Sequence, residues 1–417
     1  MTFRKTVLIA GLFSAILIPG FARGAKDSNN SSEVKKLENQ EYARILNVMA
    51  KIRRGERVNI AAFGGSITTG YNSEPRNVNS WASKVGQWWK DKGSEFGADV
   101  RFMNEGCSGT DSAWGAARAD VHLLNNKVDL VHLEFAMNDQ WLEKQVRQRS
   151  YEGVIRQLLD GSQTAIMALF VNERNSPQPS QQYEQQPICE YYNIPFVSWK
   201  DCENIEKKNN VDWSDFFDDS ETIHPNNEGH AEIAKFIIAK LEQIWACLPE
   251  SDEKLPAVET ELPAPLTDTG YQYVEFLTSA DIQPQTNTGW NTGSPVHSEW
   301  VLHGGARSGW STMTEEAEMT FKVHGSSVNL LYSESDSFRN AQAWVEYPDG
   351  TKSRKVTLAC MNPIRNGYLG WASRELCNHE TEQDFIVHVI CSKGRATEQK
   401  KETNVCGILV THLKPGN

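Results

Sequence analysis

Over the first half of the chain, short continuous apolar runs alternate with stretches whose apolar positions recur every three to four residues. The runs Val58 to Phe63, Val100 to Met103, Val128 to Phe135, Thr164 to Val171 and Pro195 to Ser198 predict strands. Between them, Trp81, Val85, Trp88 and Trp89 share one helical face, Ser112 to Leu124 reads as a helix, and Val154, Ile155, Leu158 and Leu159 form another such face. Ala231 to Trp245 closes the series as an amphipathic helix. Strands separated by helices of this length predict a parallel sheet covered on both faces, a three-layer α/β domain.

The pattern changes after residue 248. Residues 249–268, PESDEKLPAVETELPAPLTD, are rich in Pro and acidic residues and carry no apolar period, which predicts an extended, solvated linker. Beyond it, Glu318 to Val323, Ser327 to Tyr332, Gln342 to Tyr347 and Asp384 to Cys391 alternate apolar and polar positions, with turn residues such as Pro348-Asp349-Gly350 between them. The expectation is an all-β domain over 269–417, a β-sandwich of jelly-roll type. The α/β domain is expected over 25–248.

The first residues add a compartment. MTFRK followed by TVLIAGLFSAILIPGFA has the basic start, short apolar stretch and small-residue end of a secretory signal over 1–24. An uncleaved anchor is the alternative, although the run falls short of the roughly 20 apolar residues that span a bilayer. The expected location is secreted or periplasmic, with no stable membrane insertion after cleavage. Eight Cys lie beyond the signal, Cys107, Cys189, Cys202 and Cys247 in the first half and Cys360, Cys377, Cys391 and Cys406 in the second. Disulfides within each domain are open to an exported chain, with Cys189 and Cys202 the best pair by proximity; buried free thiols are the other reading. The formal net charge of −12 without a basic stripe argues against nucleic acid as a partner.

Three strand ends and one late loop carry the candidate chemistry. Ser66 lies in AAFGGSITTG, where a Gly pair allows a sharp turn out of the first strand. Thr68 occupies the position where a Gly-x-Ser-x-Gly elbow has its second Gly, so this is a different turn. The second strand runs into NEGCSGTDS and the third into EFAMND, which brings Gly109 and Asn138 to the same edge, because parallel strands share one carboxyl face. A Gly backbone N–H and an Asn amide are suitable donors to an oxyanion. In SETIHPNNEGH, His224 stands ahead of the last helix with Glu221 three residues before it. Ser66, His224 and Glu221 can act as nucleophile, base and orienting carboxylate, since a hydroxyl needs a neighbouring base and that base needs a fixed tautomer. Each residue alone also fits a plain role as cap, turn or loop residue. His230, after Gly229 at the helix start, reads as structural.

Taken in order, these four blocks resemble the SGNH (GDSL-like) hydrolase superfamily over most of residues 56 to 248. The resemblance implies a flavodoxin-like fold, Ser66 as nucleophile, His224 as base, and the Ser66 N–H, Gly109 and Asn138 as the oxyanion hole. The chain departs from the family pattern at three places. Gly64-Gly65-Ser66 replaces Gly-Asp-Ser, Ala136 replaces the Gly before x-Asn-Asp, and Glu221 replaces the Asp three residues before His. The last change leaves Asp218 and Asp219 as alternative acids.

Export, acidity and an appended β-domain resemble exported carbohydrate O-acetyl esterases. The expected substrate is therefore an acetylated polysaccharide or oligosaccharide, with deacetylation through an acyl-enzyme on Ser66. Trp141, Trp213 and Tyr71 are candidate sugar-binding residues because aromatic faces suit sugar rings; core packing is the alternative. The competing functions are a non-catalytic glycan-binding protein on the same fold and a lipase or thioesterase acting on lipid esters. None of these mechanisms calls for a metal or cofactor, and the sequence supplies no ligand cluster for a metal.

Overall fold

In a computed structural model, which describes residues 40–174, 180–208, 211–268, 270–295, 308–362, 369–393 and 402–413, the first domain is built on a parallel sheet. The expected signal segment lies outside the described residues. Strands β1 (Val58–Gly64), β2 (Val100–Gly106), β3 (Leu130–Glu134), β4 (Ala165–Phe170) and β5 (Phe196–Ser198) pair in the order β2-β1-β3-β4-β5, all parallel. The helices are α1 (Ala43–Arg53), α2 (Ser66–Thr69), α3 (Arg76–Asn79), α4 (Trp81–Phe96), α5 (Ser112–Ala119), α6 (Lys144–Leu159), α7 (Gln182–Tyr191), α8 (Trp199–Lys208) and α9 (Asn227–Ala246).

Both faces of the sheet are covered, and alternation along β1 shows why. Ala61 and Phe63 enter one core with Trp114, Phe135 and Tyr151, while Val58, Ile60 and Ala62 enter the other with Trp81, Trp89 and Leu241. A strand buried on both sides is apolar throughout, which is what made these runs readable. Helix starts follow ordinary capping: the side chains of Ser80, Asp111 and Asn226 accept the Ser83, Trp114 and Gly229 N–H groups at the heads of α4, α5 and α9.

Residues 249–268, expected as a solvated linker, run along the first domain. Arg44 and Asn47 of α1 donate to the carbonyls of Glu259 and Pro256 at 2.5 and 3.3 Å. Arg156 reaches the Pro263 carbonyl at 2.9 Å, and the Glu152 carboxylate accepts the N–H groups of Leu266 and Thr267 at 2.6 and 2.8 Å. A segment without its own ladder has its backbone groups satisfied here by side chains of its neighbour.

Among the described residues, the second domain is a curled antiparallel sheet of nine strands: β6 (Val274–Leu277), β7 (Thr286–Asn287), β8 (Asn291–Pro295), β9 (Ser308–Thr312), β10 (Glu318–Glu334), β11 (Ala341–Glu346), β12 (Val356–Leu358), β13 (Gly370–Cys391) and β14 (Thr403–Thr411). The runs predicted as separate strands at 318–323 and 327–332 are one strand, β10, of 17 residues. Its pairing with β13 shifts register between Gly325 and Ser327 and again between Val328 and Asn329, so bulges bend a continuous strand where the sequence pattern suggests a break.

The two domains share a core. Tyr271, Phe276, Leu331, Cys406 and Leu409 join the first domain's cluster around Trp114 and Tyr151. Arg149 of α6 ties the join, pairing with Asp268 and with Glu375 of β13 at 2.6 Å and donating to Asn378 at 2.8 Å.

The Cys189–Cys202 pairing is corrected: no disulfide joins the two. Cys189 belongs to the core on one face of the parallel sheet and Cys202 to the core on the other, so closeness in sequence does not bring the sulfurs together.

Candidate active site

The carboxyl ends of β1, β2 and β3 hold the first three candidate residues. β1 ends at Gly64, and the chain turns through Gly65 into α2 with Ser66 as its first residue. A Cβ on Gly65 would stand 2.1 Å from Asn138 Oδ1, so the Gly that replaces the expected acidic residue lets the Asn138 amide lie directly against the nucleophile turn. Gly109 has φ +74°, a left-handed conformation suited to glycine, in the loop after β2. Its neighbour Ser108 meets Thr69 of α2 hydroxyl to hydroxyl at 3.2 Å, which ties that loop to the Ser66 turn.

The fourth block closes the set. Ser66 Oγ stands 2.8 Å from His224 Nε2, and His224 Nδ1 stands 3.2 Å from Glu221 Oε2. The other Glu221 oxygen accepts the backbone N–H groups of Thr222, Ile223 and His224 at 2.9, 2.9 and 3.2 Å. The carboxylate therefore folds the turn with one oxygen and faces the imidazole with the other. Partial burial would raise its pKa, but the His224 contact and the N–H groups outweigh that and bring it down to about 2, so Glu221 is ionised across the working range. Asp218 and Asp219 are exposed, and their backbone carbonyls accept from Arg174.

Of the aromatic candidates, one stands against His224, one is exposed and one is buried. The Tyr71 ring centroid is 4.5 Å from that of His224. Trp141, three residues after Asn138, is 75% exposed. Trp213 is corrected: it is buried in the core, edge-on to Trp199 at 5.2 Å and Phe216 at 4.9 Å. Its polar neighbours in sequence, Asp212, Ser214 and Asp215, form a capped 3₁₀ turn that keeps the polar groups outward and drives the ring inward. His230 is buried too, bonded at 3.1 Å to the Tyr71 carbonyl and at 3.3 Å to the Trp81 N–H. Burial lowers its pKa to about 4, so it stays neutral.

Several residues escaped the sequence reading. Arg118 of α5 is fully buried and donates to the Gly64 carbonyl at 2.9 Å and the Glu105 carbonyl at 2.7 Å, clamping the ends of the strands that lead to Ser66 and Gly109. Glu134, at the end of β3, is buried beneath the nucleophile turn and accepts from Thr68 Oγ1 at 3.1 Å. Burial pushes its carboxyl up to about 7, against the hydrogen bonds it receives. Trp371, from β13 of the second domain, lies 3.5 Å from where a Cβ on Gly109 would be. A polar residue at the end of an apolar strand and an Arg in an Ala-rich helix were the only available signals for the first two; Trp371 had none.

Residues 62–232 match the model of the GDSL-like lipase/acylhydrolase family. Among solved structures, a two-domain esterase (CEX) active on acetylated mannans is similar at a TM-score of 0.73 and 23% identity, over 91% of this chain and 100% of that one. A structure of that description co-crystallised with mannopentaose aligns at a TM-score of 0.71 and 22% identity, over 92% of this chain and 99% of that one. At such identities the likeness is one of fold, and it extends across both domains. No curated protein matches the chain.

Proposed function

We propose that this chain, whose first domain is a member of the GDSL-like lipase/acylhydrolase family, is a serine esterase that removes O-acetyl groups from polysaccharides or oligosaccharides. The observation that carries the reading is the 2.8 Å approach of Ser66 Oγ to His224 Nε2 at the carboxyl edge of a parallel sheet, with an ionised Glu221 behind the imidazole.

In this reading His224 accepts the Ser66 proton as the hydroxyl oxygen bonds to the ester carbonyl carbon. The carbonyl oxygen gains the negative charge, and the Ser66 and Gly109 N–H groups and the Asn138 amide are the donors available to it. The tetrahedral adduct then expels the sugar oxygen, which takes the proton from His224 Nε2 and leaves an acetyl group on Ser66. Water repeats the sequence with the same base and releases acetate. Glu221 keeps the proton on Nδ1 and offsets the charge of the imidazolium.

Exposed Trp141, three residues after Asn138, and Trp371 near Gly109 support a sugar-binding rim. The basic start and apolar run of the sequence support export, which gives such an enzyme access to extracellular polymers. Since the structural neighbour acts on acetylated mannans, acetylated mannan is the polymer to test first, beside acetylated xylan and pectin. The purified protein is expected to release acetate from at least one of them and to act weakly on long-chain acyl esters. Preference for long-chain esters with no acetate release would overturn the reading.

A further inference from the structure

Three consecutive residues of β13 touch the loop that carries Gly109 and the helix that follows it. The Trp371 ring lies 3.5 Å from where a Cβ on Gly109 would stand, the Ala372 carbonyl accepts the Trp114 indole N–H at 3.2 Å, and the Ser373 hydroxyl donates to Asp111 Oδ2 at 3.2 Å. Asp111 is also the cap of α5, accepting the Trp114 N–H through its other oxygen at 3.0 Å. One residue further, the Ser112 N–H donates at 2.7 Å to Asp139, which follows Asn138 in the chain. Residues 111–114 thus form a short rigid bar from which both candidate oxyanion donors hang. Gly109 is two residues before it, and Asn138 is bound to it through Asp139.

We infer that the second domain is part of the oxyanion hole's framework, with Ser373 a positioning residue that holds Asp111, and through it Gly109 and Asn138, in register with Ser66. This rests on the esterase reading above and extends it, because it assigns the β-domain a role in the chemical step in place of a tethered accessory role. The shared core at Tyr271, Phe276, Leu331 and Leu409 makes the seating of β13 a fixed feature of the fold. Asp111 is fully enclosed, and burial raises its carboxyl to about 6 against the hydrogen bonds from Trp114 and Ser373, so each of its few donors matters to its position.

The test uses the full chain with Ser373→Ala, Ser373→Thr and Trp114→Phe. The last removes the N–H that reaches Ala372 together with part of a buried ring, so its Tm is measured beside the wild type's. Two readouts are taken: kcat and KM on p-nitrophenyl acetate, which is too small to report on sugar contacts, and hydrogen exchange of the amides of residues 107–114. Loss of one oxyanion donor costs roughly 10²–10³ in kcat, and a donor displaced but not removed is expected to cost about tenfold. Ser373→Ala and Trp114→Phe should each lower kcat by about that much with KM within about twofold, and should speed exchange in the loop. Ser373→Thr should restore both. Unchanged kcat and unchanged exchange in both Ser373→Ala and Trp114→Phe would overturn the inference. If the wild type hydrolyses no ester, the esterase reading falls separately, and the exchange measurement alone decides whether Ser373 orders the loop.

Discussion

Ser66 and His224 are separated by 158 positions in the chain and by 2.8 Å between Oγ and Nε2. Parallel strands deliver the serine and a late loop delivers the imidazole, so the pair exists only in the folded domain. Replacing His224 by Gln should lower kcat on acetyl esters by about 10²–10⁴, the usual contribution of a positioned general base, with little change in Tm. A His224→Gln protein as active as the wild type contradicts the assigned base.

Glu221 has two functions in the turn, and its variants should separate them. Glu221→Gln keeps an oxygen for the Thr222, Ile223 and His224 N–H groups but removes the charge facing His224 Nδ1. A fall of at least tenfold in kcat is expected, with the fold intact. Asp218→Asn and Asp219→Asn should leave kcat within about twofold, since those carboxylates are exposed and stand outside the set described here. A large loss in either Asp variant together with a silent Glu221→Gln would reassign the third residue.

Trp141 and Trp213 make a paired test of surface against core. Trp141→Ala, at an exposed site, should change stability by no more than about 0.5 kcal/mol while raising KM for acetylated polymer and sparing p-nitrophenyl acetate. Trp213→Ala should cost about 3–5 kcal/mol of stability through the cavity it leaves beside Trp199 and Phe217. Thermal melts and polymer kinetics on both variants check this, and equal stability loss in the two would contradict the assignment.

Glu134 predicts a pH-dependent stability. Its folded-state pKa of about 7 lies above the ordinary carboxyl value of 4.5, so the unfolded chain gives up this proton more readily. Its stabilising contribution is therefore full below about pH 4.5 and is lost as pH rises through 7. Glu134→Gln, which mimics the neutral acid, should match the wild type near pH 4.5 and melt progressively higher than it toward pH 8. A Tm difference that stays constant from pH 4.5 to pH 8 would contradict a buried, proton-retaining Glu134.

How far the sequence could be read depended on whether a feature was local. Strands buried on both faces announce themselves as apolar runs, and their carboxyl ends share an edge by topology, so Ser66, Gly109 and Asn138 could be brought together before any coordinates. The three-residue spacing of Glu221 and His224 is likewise a local turn. Trp371 and Ser373 meet residues more than two hundred positions away, and no pattern in either segment announces that contact. Trp213 was misread because its sequence neighbours are polar while its ring turns into the core. The β10 strand was split in two because a bulge looks like a turn when only the alternation is visible.

The central claim is that Ser66 is acylated during turnover. Acid-quenched samples of the protein reacting with p-nitrophenyl acetate, digested and mapped by mass spectrometry, test it directly, with Ser66→Ala as the partner sample. An acetyl-sized mass gain on the peptide holding Ser66, and loss of ester hydrolysis in the folded Ser66→Ala protein, is the predicted result. Undiminished hydrolysis by Ser66→Ala, with no acetyl on that peptide in the wild type, would contradict it.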